Sequence, residues 1–553
     1  MSQGSPESSP LPGTTVQEFR QILLWPLQLL PLDVRSPLER PWDGLEQQTG
    51  HPWHEVRDEF TGDPAQFQER HYREFVTFLP YVQRFLYGDV RDRHSDDARA
   101  APMRIYRRDD IGAVRVTPRA DSAPIEMRVV HVDLYFFYDI DVVLLNVEVA
   151  GTNLALELVQ EILYRSGRAY PPGWEEDGRG MHCMYRTEWL GHDGSVLVQS
   201  NTGDRASFLE FVCVHRSPRI ADHWAWLLAP LMPDQAPGCE APGVLRFRQV
   251  EYHRMPIMAW LALDDPRALT RKDFVRLGLV TDAGLPDQLP FADRHVADFE
   301  ARFCYDRFWS EDSGGPNTRY MVCGHALVVV GDANSRFFTS AETGVLAQFR
   351  HQHFMLFLIA HFQRAALLMF SDRLVDALKR LDTRDTDSVK QFKLTIRRLF
   401  ETFLRFTHRY WFHDVADQAL VKALFNMCAG HLGLDALYAE IKERIKDMND
   451  YLNNDSLRRQ ANTVVRLTVV TTFGLIGTIV TGFFGMNLVP PGDQPVIERV
   501  LFFAGITAVT CALTAYTLMR SKRLSDFLDA LSDERKSARM KIRALIDVWR
   551  VRR

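Results

Sequence analysis

Residues 467–487 read LTVVTTFGLIGTIVTGFFGMN, and this stretch decides how the chain is organised. Residues 467–484 carry no charged side chain. A bilayer core needs about 20 apolar residues in helical form, so the run is long enough to cross one. Residues 500–519 form a second uncharged apolar run, and the loop between the two runs contains three prolines. Because proline interrupts a helix, the pattern predicts two separate helices rather than one.

We therefore expect a transmembrane hairpin over residues 464–519, with spans at about 464–484 and 500–519. Basic residues precede the first span and follow the second, whereas Arg499 is the one cation of the loop. By the positive-inside rule both ends of the hairpin face the cytoplasm. The predicted location is a bacterial inner (plasma) membrane, crossed more than once, with both termini cytoplasmic and residues 520–553 as a basic cytosolic tail.

A helical region is predicted over residues 343–463, ahead of the hairpin. No Gly or Pro occurs between Leu434 and Phe473, so one helix is expected to continue into the first span. Its apolar positions are spaced by three and four residues, which is the pattern of a buried helix face. They are Leu434, Leu437, Ile441, Ile445, Met448 and Leu452.

The preceding part of the chain mixes strand and helix patterns, which predicts an α+β fold with a large cytosolic α/β domain over residues 101–342. β-Branched and aromatic residues predict strands. The segments in question are 127–137, 142–149, 195–199, 207–215, 244–252 and 319–330. Helices are predicted at 154–164, 220–231 and 270–277. Residues 1–100 are interpreted as a partly disordered N-terminal extension, because its start is rich in Ser, Pro and Gly.

Two apolar segments are interpreted as not spanning a membrane. Residues 22–32 are short and interrupted by Pro26 and Pro31, which fits neither a signal peptide nor a span. Residues 354–370 contain His361, Gln363 and Arg364, and a charge at the bilayer centre is costly. A buried cytosolic helix is the preferred interpretation there.

The composition argues against several classes of function. The formal net charge is −5, and no basic stripe points to a nucleic-acid partner. The seven cysteines show no C-x-x-C spacing, so neither a thiolate zinc knuckle nor a disulfide framework is expected. Phosphate-loop, dinucleotide and H-E-x-x-H motifs do not occur. We therefore expect neither an enzyme nor a bound cofactor.

Gly485, Met486 and Asn487 close the first predicted span. In this setting the tripeptide resembles the signature of the CorA family of divalent-cation transporters. The resemblance implies a homopentamer within membrane lipid, a funnel-shaped cytosolic domain, first spans that line a pore and second spans that surround them. Mg²⁺ would be the transported ion and a regulatory one, with Co²⁺ or Ni²⁺ as similarly hydrated alternatives.

The same resemblance implies roles for single residues at the pore entrance. Mg²⁺ loses its water reluctantly, so a ring of Asn487 amide oxygens would bind the hydrated ion through its outer shell. Gly485 would let the backbone turn, and Met486 would pack beneath the loop. Asp493 lies where family members often carry an acidic residue, and it would attract cations.

Residues of the first span at helical spacing from Asn487 are the candidate pore lining. They are Thr478, Leu475, Thr471, Leu467 and Val464. Thr478 matches a polar level of the family, and the aliphatic side chains would form apolar constrictions that close by dewetting. The alternative, in which these residues only pack between helices, stays open.

Other functions also fit the sequence. A zinc transporter of the ZntB type, driven by a proton gradient, would use the same architecture. A membrane-anchored sensor or scaffold that conducts nothing would share the hairpin. Acidic residues of the predicted stalk, such as Glu440 and Glu443, are read mainly as a solvated face, and no regulatory metal site is assigned to them.

Overall fold

A computed structural model of the chain describes residues 14–30, 40–56, 67–88, 102–236, 244–251, 253–282, 288–289, 291–382 and 385–485, together with 497, 500–501, 504–505, 508–509 and 512. Contacts divide the chain into two compact units, Met1–Ile445 and Lys446–Arg553. The described fold is mixed, with an N-terminal sheet domain and a long C-terminal helix, as the sequence predicted.

The described strands of the first unit form a single 14-stranded sheet. They are β1 (Thr15–Leu30), β2 (Trp53–Glu55), β3 (Met103–Arg108), β4 (Ala113–Thr117), β5 (Ile125–Phe137), β6 (Ile140–Ala155), β7 (Arg186–Leu190), β8 (Val196–Gln199), β9 (Met232–Pro233), β10 (Arg246–Gln249), β11 (Ile257–Leu263), β12 (Cys304–Tyr305), β13 (Arg319–Cys323) and β14 (Ala326–Asp332). The main path runs β12-β13-β14-β11-β1-β6-β5-β4-β7-β8, antiparallel except for β11 with β14.

The sheet branches at two of its longest strands. The start of β1 pairs with β11 and its end with β10, while β6 covers nearly the whole of its other side. In the same way β5 pairs with β4 through its first half and with β3 through its second. The central strands are buried almost throughout, which explains their near-continuous apolar sequence.

The helices cover both faces of this sheet. In chain order they are α1 (Asp43–Glu46), α2 (Glu69–Thr77), α3 (Pro80–Tyr87), α4 (Leu156–Arg165), α5 (Arg205–His215), α6 (Asp222–Leu228), α7 (Arg271–Leu279), α8 (Phe299–Phe303), α9 (Arg336–Thr339), α10 (Val345–Gln348), α11 (Phe354–Lys379), α12 (Thr386–Arg409), α13 (Ala419–Leu432) and α14 (Leu434–Gly485). One π-helical turn, Phe349–His353, joins α10 to α11. Helix α11 packs on β1 and β6, and α12 and α13 pack on α11.

The predicted domain start at residue 101 does not coincide with the start of the sheet. Strand β1 is central, between β6 and β11, although its segment was assigned to an N-terminal extension. The sequence interpretation weighed residues 22–32 only as a signal peptide or a span, and proline is unusual in a central strand. In the structure Pro26 pairs with Leu144 of β6 on one side, and on the other it lies between the parts of β1 that pair with β11 and with β10. A missing N–H is least costly at such a gap.

A second difference concerns residues 207–215, predicted as a strand and found within helix α5. The β-branched and aromatic content suggested a strand. A local signal favours the helix instead, since the Asp204 side chain accepts a hydrogen bond from the Ser207 N–H and so caps the first turn. The other helices and strands predicted over residues 127–164 form as expected, with boundaries that differ by a few residues.

Candidate functional site

The long helix α14 runs from Leu434 to Gly485 without interruption. Gly433, in the left-handed conformation at φ 65°, ends the preceding helix α13. The predicted continuity of this helix is therefore confirmed over its described residues. Within the first unit, Leu434, Ile441 and Ile445 are almost completely buried. The apolar spacing predicted from the sequence thus anchors the start of α14 in that unit.

Further along α14, the candidate pore-lining residues lie on an exposed stripe. Val464 is 62 % exposed and Leu467 is 63 % exposed. Thr471 and Thr478 are also exposed, as are three glycines at the same helical spacing. With about 100° of rotation per residue, these positions fall within an arc of roughly 80°. We call this set the exposed stripe; it consists of Val464, Leu467, Thr471, Gly474, Thr478, Gly482 and Gly485.

The threonines of the stripe are oriented by the helix backbone. The Thr471 hydroxyl donates to the carbonyl of Leu467 at 3.0 Å, and the Thr478 hydroxyl donates to the carbonyl of Gly474 at 2.8 Å. Because the single hydroxyl proton is used within the helix, the oxygen lone pairs stay free to accept a hydrogen bond. An exposed threonine in this state is an acceptor, which suits the water molecules around a hydrated cation.

The glycines of the stripe leave the helix surface open. A methyl group added at Gly474, Gly482 or Gly485 would meet no described atom outside its own helix within 4 Å. Packing among the described residues therefore does not require a glycine at these positions. Small residues in a membrane helix permit close approach of another helix. Such a helix would not be one of those described in this chain.

Several predicted site residues lie outside the described part of the chain. Met486, Asn487 and Asp493 follow the last described residue of α14, and the side chain of Leu475 is likewise not described. The described residues of the predicted second span are helical, and Val500, Leu501 and Val509 are each at least 60 % exposed. The proposed entrance ring thus stays a prediction from the sequence.

Another helix is apolar enough to cross a membrane. Among the residues whose side chains are described, Val345–Lys379 is the one helical segment that is long and apolar enough to cross a membrane, with a mean hydropathy of 1.6. However, 78 % of its most apolar window is buried in protein. Phe362 stacks on Phe137 of the sheet at 3.8 Å, and the Gln363 amide donates to the Tyr410 carbonyl at 2.9 Å. The segment has the surroundings of a core helix, as preferred from the sequence.

No group of three or more His, Cys, Asp or Glu side chains among the described residues is arranged to hold a metal ion. The predicted stalk carboxylates that are described behave as surface groups: Glu440 pairs with Arg444 at 2.5 Å, and both side chains are half exposed. The described first unit therefore offers no preformed regulatory cation site of this kind.

The structure also shows a buried ionic cluster that sequence reasoning missed. Glu148 on β6 is 1 % exposed and accepts from Arg20 at 3.1 Å and from Arg350 at 2.9 Å, while His131 lies 3.3 Å away. Arg350 belongs to the π-helical turn, a rare geometry that often marks a functional position. The available signal was the single acid in the apolar run VVLLNVEVA, because a buried strand rarely carries an unpaired charge.

The exposed stripe and the apolar run around it belong to a long helix, with threonines and glycines on one exposed face, that follows a large folded domain. The family model described as CorA-like Mg2+ transporter protein matches residues 370–523. Through this C-terminal region the chain is similar to the CorA-like family, as its sequence indicated. No curated protein and no solved structure matches the chain.

The match begins inside α11 and includes α12, α13, the whole of α14 and the predicted loop and second span. The 14-stranded sheet lies before it. Members of this family are transporters or channels rather than enzymes, so divalent-cation transport in general is the function that the match supports.

Proposed function

We propose that the chain forms a homopentameric channel for hydrated divalent cations, with Mg²⁺ as the default ion. The observation that carries the proposal is the exposed stripe of α14, which lies within the family-matched region. Apolar residues exposed on one chain need a partner, since contiguous apolar surface in water is unfavourable. Five copies of α14 around one axis would cover part of each other's apolar surface and leave a narrow central passage.

The proposed passage has two kinds of ring. Thr478 and Thr471 would present hydroxyl oxygens to the water molecules of the ion, and Val464 and Leu467 would form an apolar constriction that closes by dewetting. Asn487 would hold the hydrated ion at the outer mouth, and Asp493 would raise the local cation concentration. The two spans would lie in an inner membrane with both termini cytoplasmic.

A matched pair of threonines tests whether the stripe conducts ions. Thr478 lies on the stripe, whereas Thr481 lies off it and is less exposed. Both hydroxyls donate to the carbonyl four residues earlier, at 2.8 and 2.9 Å. Replacement of either threonine by valine therefore removes the same kind of hydrogen bond from α14. In proteoliposomes loaded with a Mg²⁺ dye, Thr478→Val should slow uptake at least about fivefold, as expected for the loss of one or more acceptors of about 1 kcal/mol each.

Thr481→Val should leave uptake nearly unchanged. Equal uptake by the two variants, or a purified protein that is monomeric or dimeric in lipid, would contradict the proposal. Uptake of Zn²⁺ that depends on an imposed pH gradient would assign the chain to the ZntB type instead. A protein that carries no ion under either condition would be the non-conducting scaffold.

A further inference from the structure

A small cavity lies in the first unit between the sheet and helix α6. Its volume is about 40 Å³. Its walls include Gln21 of β1, Trp189 of β7, and His223 and Trp224 of α6. At about 10–15 Å³ for each molecule, this space would hold roughly three waters. All of the residues that line the cavity belong to the first unit.

Three polar atoms of the cavity wall have no hydrogen-bond partner among the described residues. They are Gln21 Nε2, Trp189 Nε1 and His223 Nδ1, and each residue is at most 4 % exposed. A buried polar group without a partner is rare in folded proteins and indicates an absent water, ion or ligand. The amide and indole nitrogens are donors only, so an occupant must offer acceptor atoms.

The charges around the cavity favour a negative occupant. The lining residues include Arg165 and Arg168 but no Asp or Glu. Arg165 is paired with Glu161, which does not line the cavity, and Arg168 donates to the Tyr164 carbonyl at 2.9 Å. Burial raises the pKa of the Cys183 thiol in the wall to about 12, and the positive charges of Arg168 and Arg165 oppose that rise.

The rest of the wall is apolar. It includes Val114, Met127, Val147, Val149 and Met184. A fully hydrated inorganic anion would not suit such a surface, whereas a short alkyl group would. Arg165 and Ser166 line the cavity and are partly exposed, so they offer a path from solvent.

We propose that this cavity binds a short monocarboxylic acid as its anion, with the carboxylate oxygens accepting from the orphaned N–H groups and the alkyl group against the apolar wall. The volume limits the acid to roughly two or three carbon atoms. Acetate is the probe of choice.

Thermal unfolding of the whole chain in detergent tests the proposal. Tryptophan fluorescence monitors the unfolding in sodium acetate and in sodium chloride of equal ionic strength. Acetate should raise the unfolding midpoint in a saturable manner, with a Kd on the order of 1 mM for so small a ligand. Hexanoate should give no such shift because it is too long for the cavity. Equal midpoints in acetate and chloride would mean that the cavity holds only water, and would overturn the proposal.

Two glutamines of β1 provide a matched pair of variants. Gln21 lines the cavity, whereas Gln28 is 3 % exposed on the same strand and does not line it. Gln21→Leu should weaken acetate binding about tenfold, the effect of one lost hydrogen bond, and Gln28→Leu should not. If Gln21→Leu fails to fold, Trp189→Phe removes the indole donor and keeps an aromatic ring. Unchanged acetate affinity in the cavity variant, or equal loss in the Gln28 control, would contradict the assignment.

Discussion

The two ends of helix α14 meet opposite surroundings although both are rich in aliphatic residues. Near its start, Ile441 and Ile445 are at most 1 % exposed within the first unit. Near its end, Val464 and Leu467 are more than 60 % exposed. The difference teaches that the first unit covers the start of α14, whereas no described residue covers Val464 and Leu467 further along the helix.

The largest expected effect concerns Asn487 at the predicted pore entrance. Asn487→Ala should reduce Mg²⁺ uptake into proteoliposomes about 100-fold, because hydrogen bonds to charged groups contribute about 1.5–3 kcal/mol each. The thermal stability of the first unit should not change. Wild-type uptake in this variant would show that the amide ring is not the entrance, and would remove the contrast between the two ends of the helix.

The next effect tests how firmly the first unit is held. Glu148→Ala should lower the free energy of unfolding by about 3–5 kcal/mol, because it removes the two charge-assisted hydrogen bonds that Arg20 and Arg350 donate to this buried carboxylate. Glu440→Ala is the control, and should cost at most about 0.5 kcal/mol since its pair is exposed. Denaturant titration measures both free energies of unfolding. Similar losses for the two variants would mean that the buried cluster stabilises the fold no more than an exposed ion pair does.

A third change compares covered and uncovered apolar residues. Phe362 of α11 is completely buried and stacks on Phe137, whereas Leu394 of α12 is 52 % exposed. Phe362→Ala should cost about 3–5 kcal/mol of unfolding free energy, and Leu394→Ala well under 1 kcal/mol. A small loss for Phe362→Ala would contradict the assignment of α11 to the core and would revive its reading as a membrane span.

The smallest effect depends on pH. Burial raises the pKa of Glu251 to about 7, against the opposing effect of Arg364 at 3.1 Å. Because the folded state then binds a proton more tightly than the unfolded state, this group stabilises the fold most at low pH, and the contribution is lost as pH rises from about 4.5 to 7. Relative to Glu251→Gln, the wild type should lose about 1–2 kcal/mol between pH 5 and pH 7.5. Denaturant titrations at the two pH values measure this difference, and parallel curves for the two proteins would contradict it.

The sequence predicted what depends on local pattern. The uninterrupted helix from Leu434 followed from the absence of Gly and Pro, and strands such as β5 and β6 followed from their β-branched content. It failed where partners distant in the chain decide the outcome. The central place of β1 depends on its pairing with β6 and β11, and the Glu148 cluster joins residues from β1, β6 and the π-helical turn that no short-range pattern relates.

For the candidate site, too, the sequence predicted the local features and not those that depend on distant partners. Helical spacing was enough to place Val464, Leu467, Thr471 and Thr478 on one face, since that follows from the geometry of a single helix. The number of copies and the ring at Asn487 depend on contacts between chains, and one sequence carries no direct record of them. Those parts of the proposal rest on the family match and on the experiments above.

The central place of β1 has a consequence for biosynthesis. This strand leaves the ribosome well before its partner β11, which follows about 250 residues later, as the Gln17–Asp264 separation of 247 shows. Pairings of such high contact order form slowly. The side of nascent β1 that pairs with β11 therefore stays unpaired until most of the sheet has been translated. A truncation that removes β1 would thus separate β11 from β6 and disrupt the sheet.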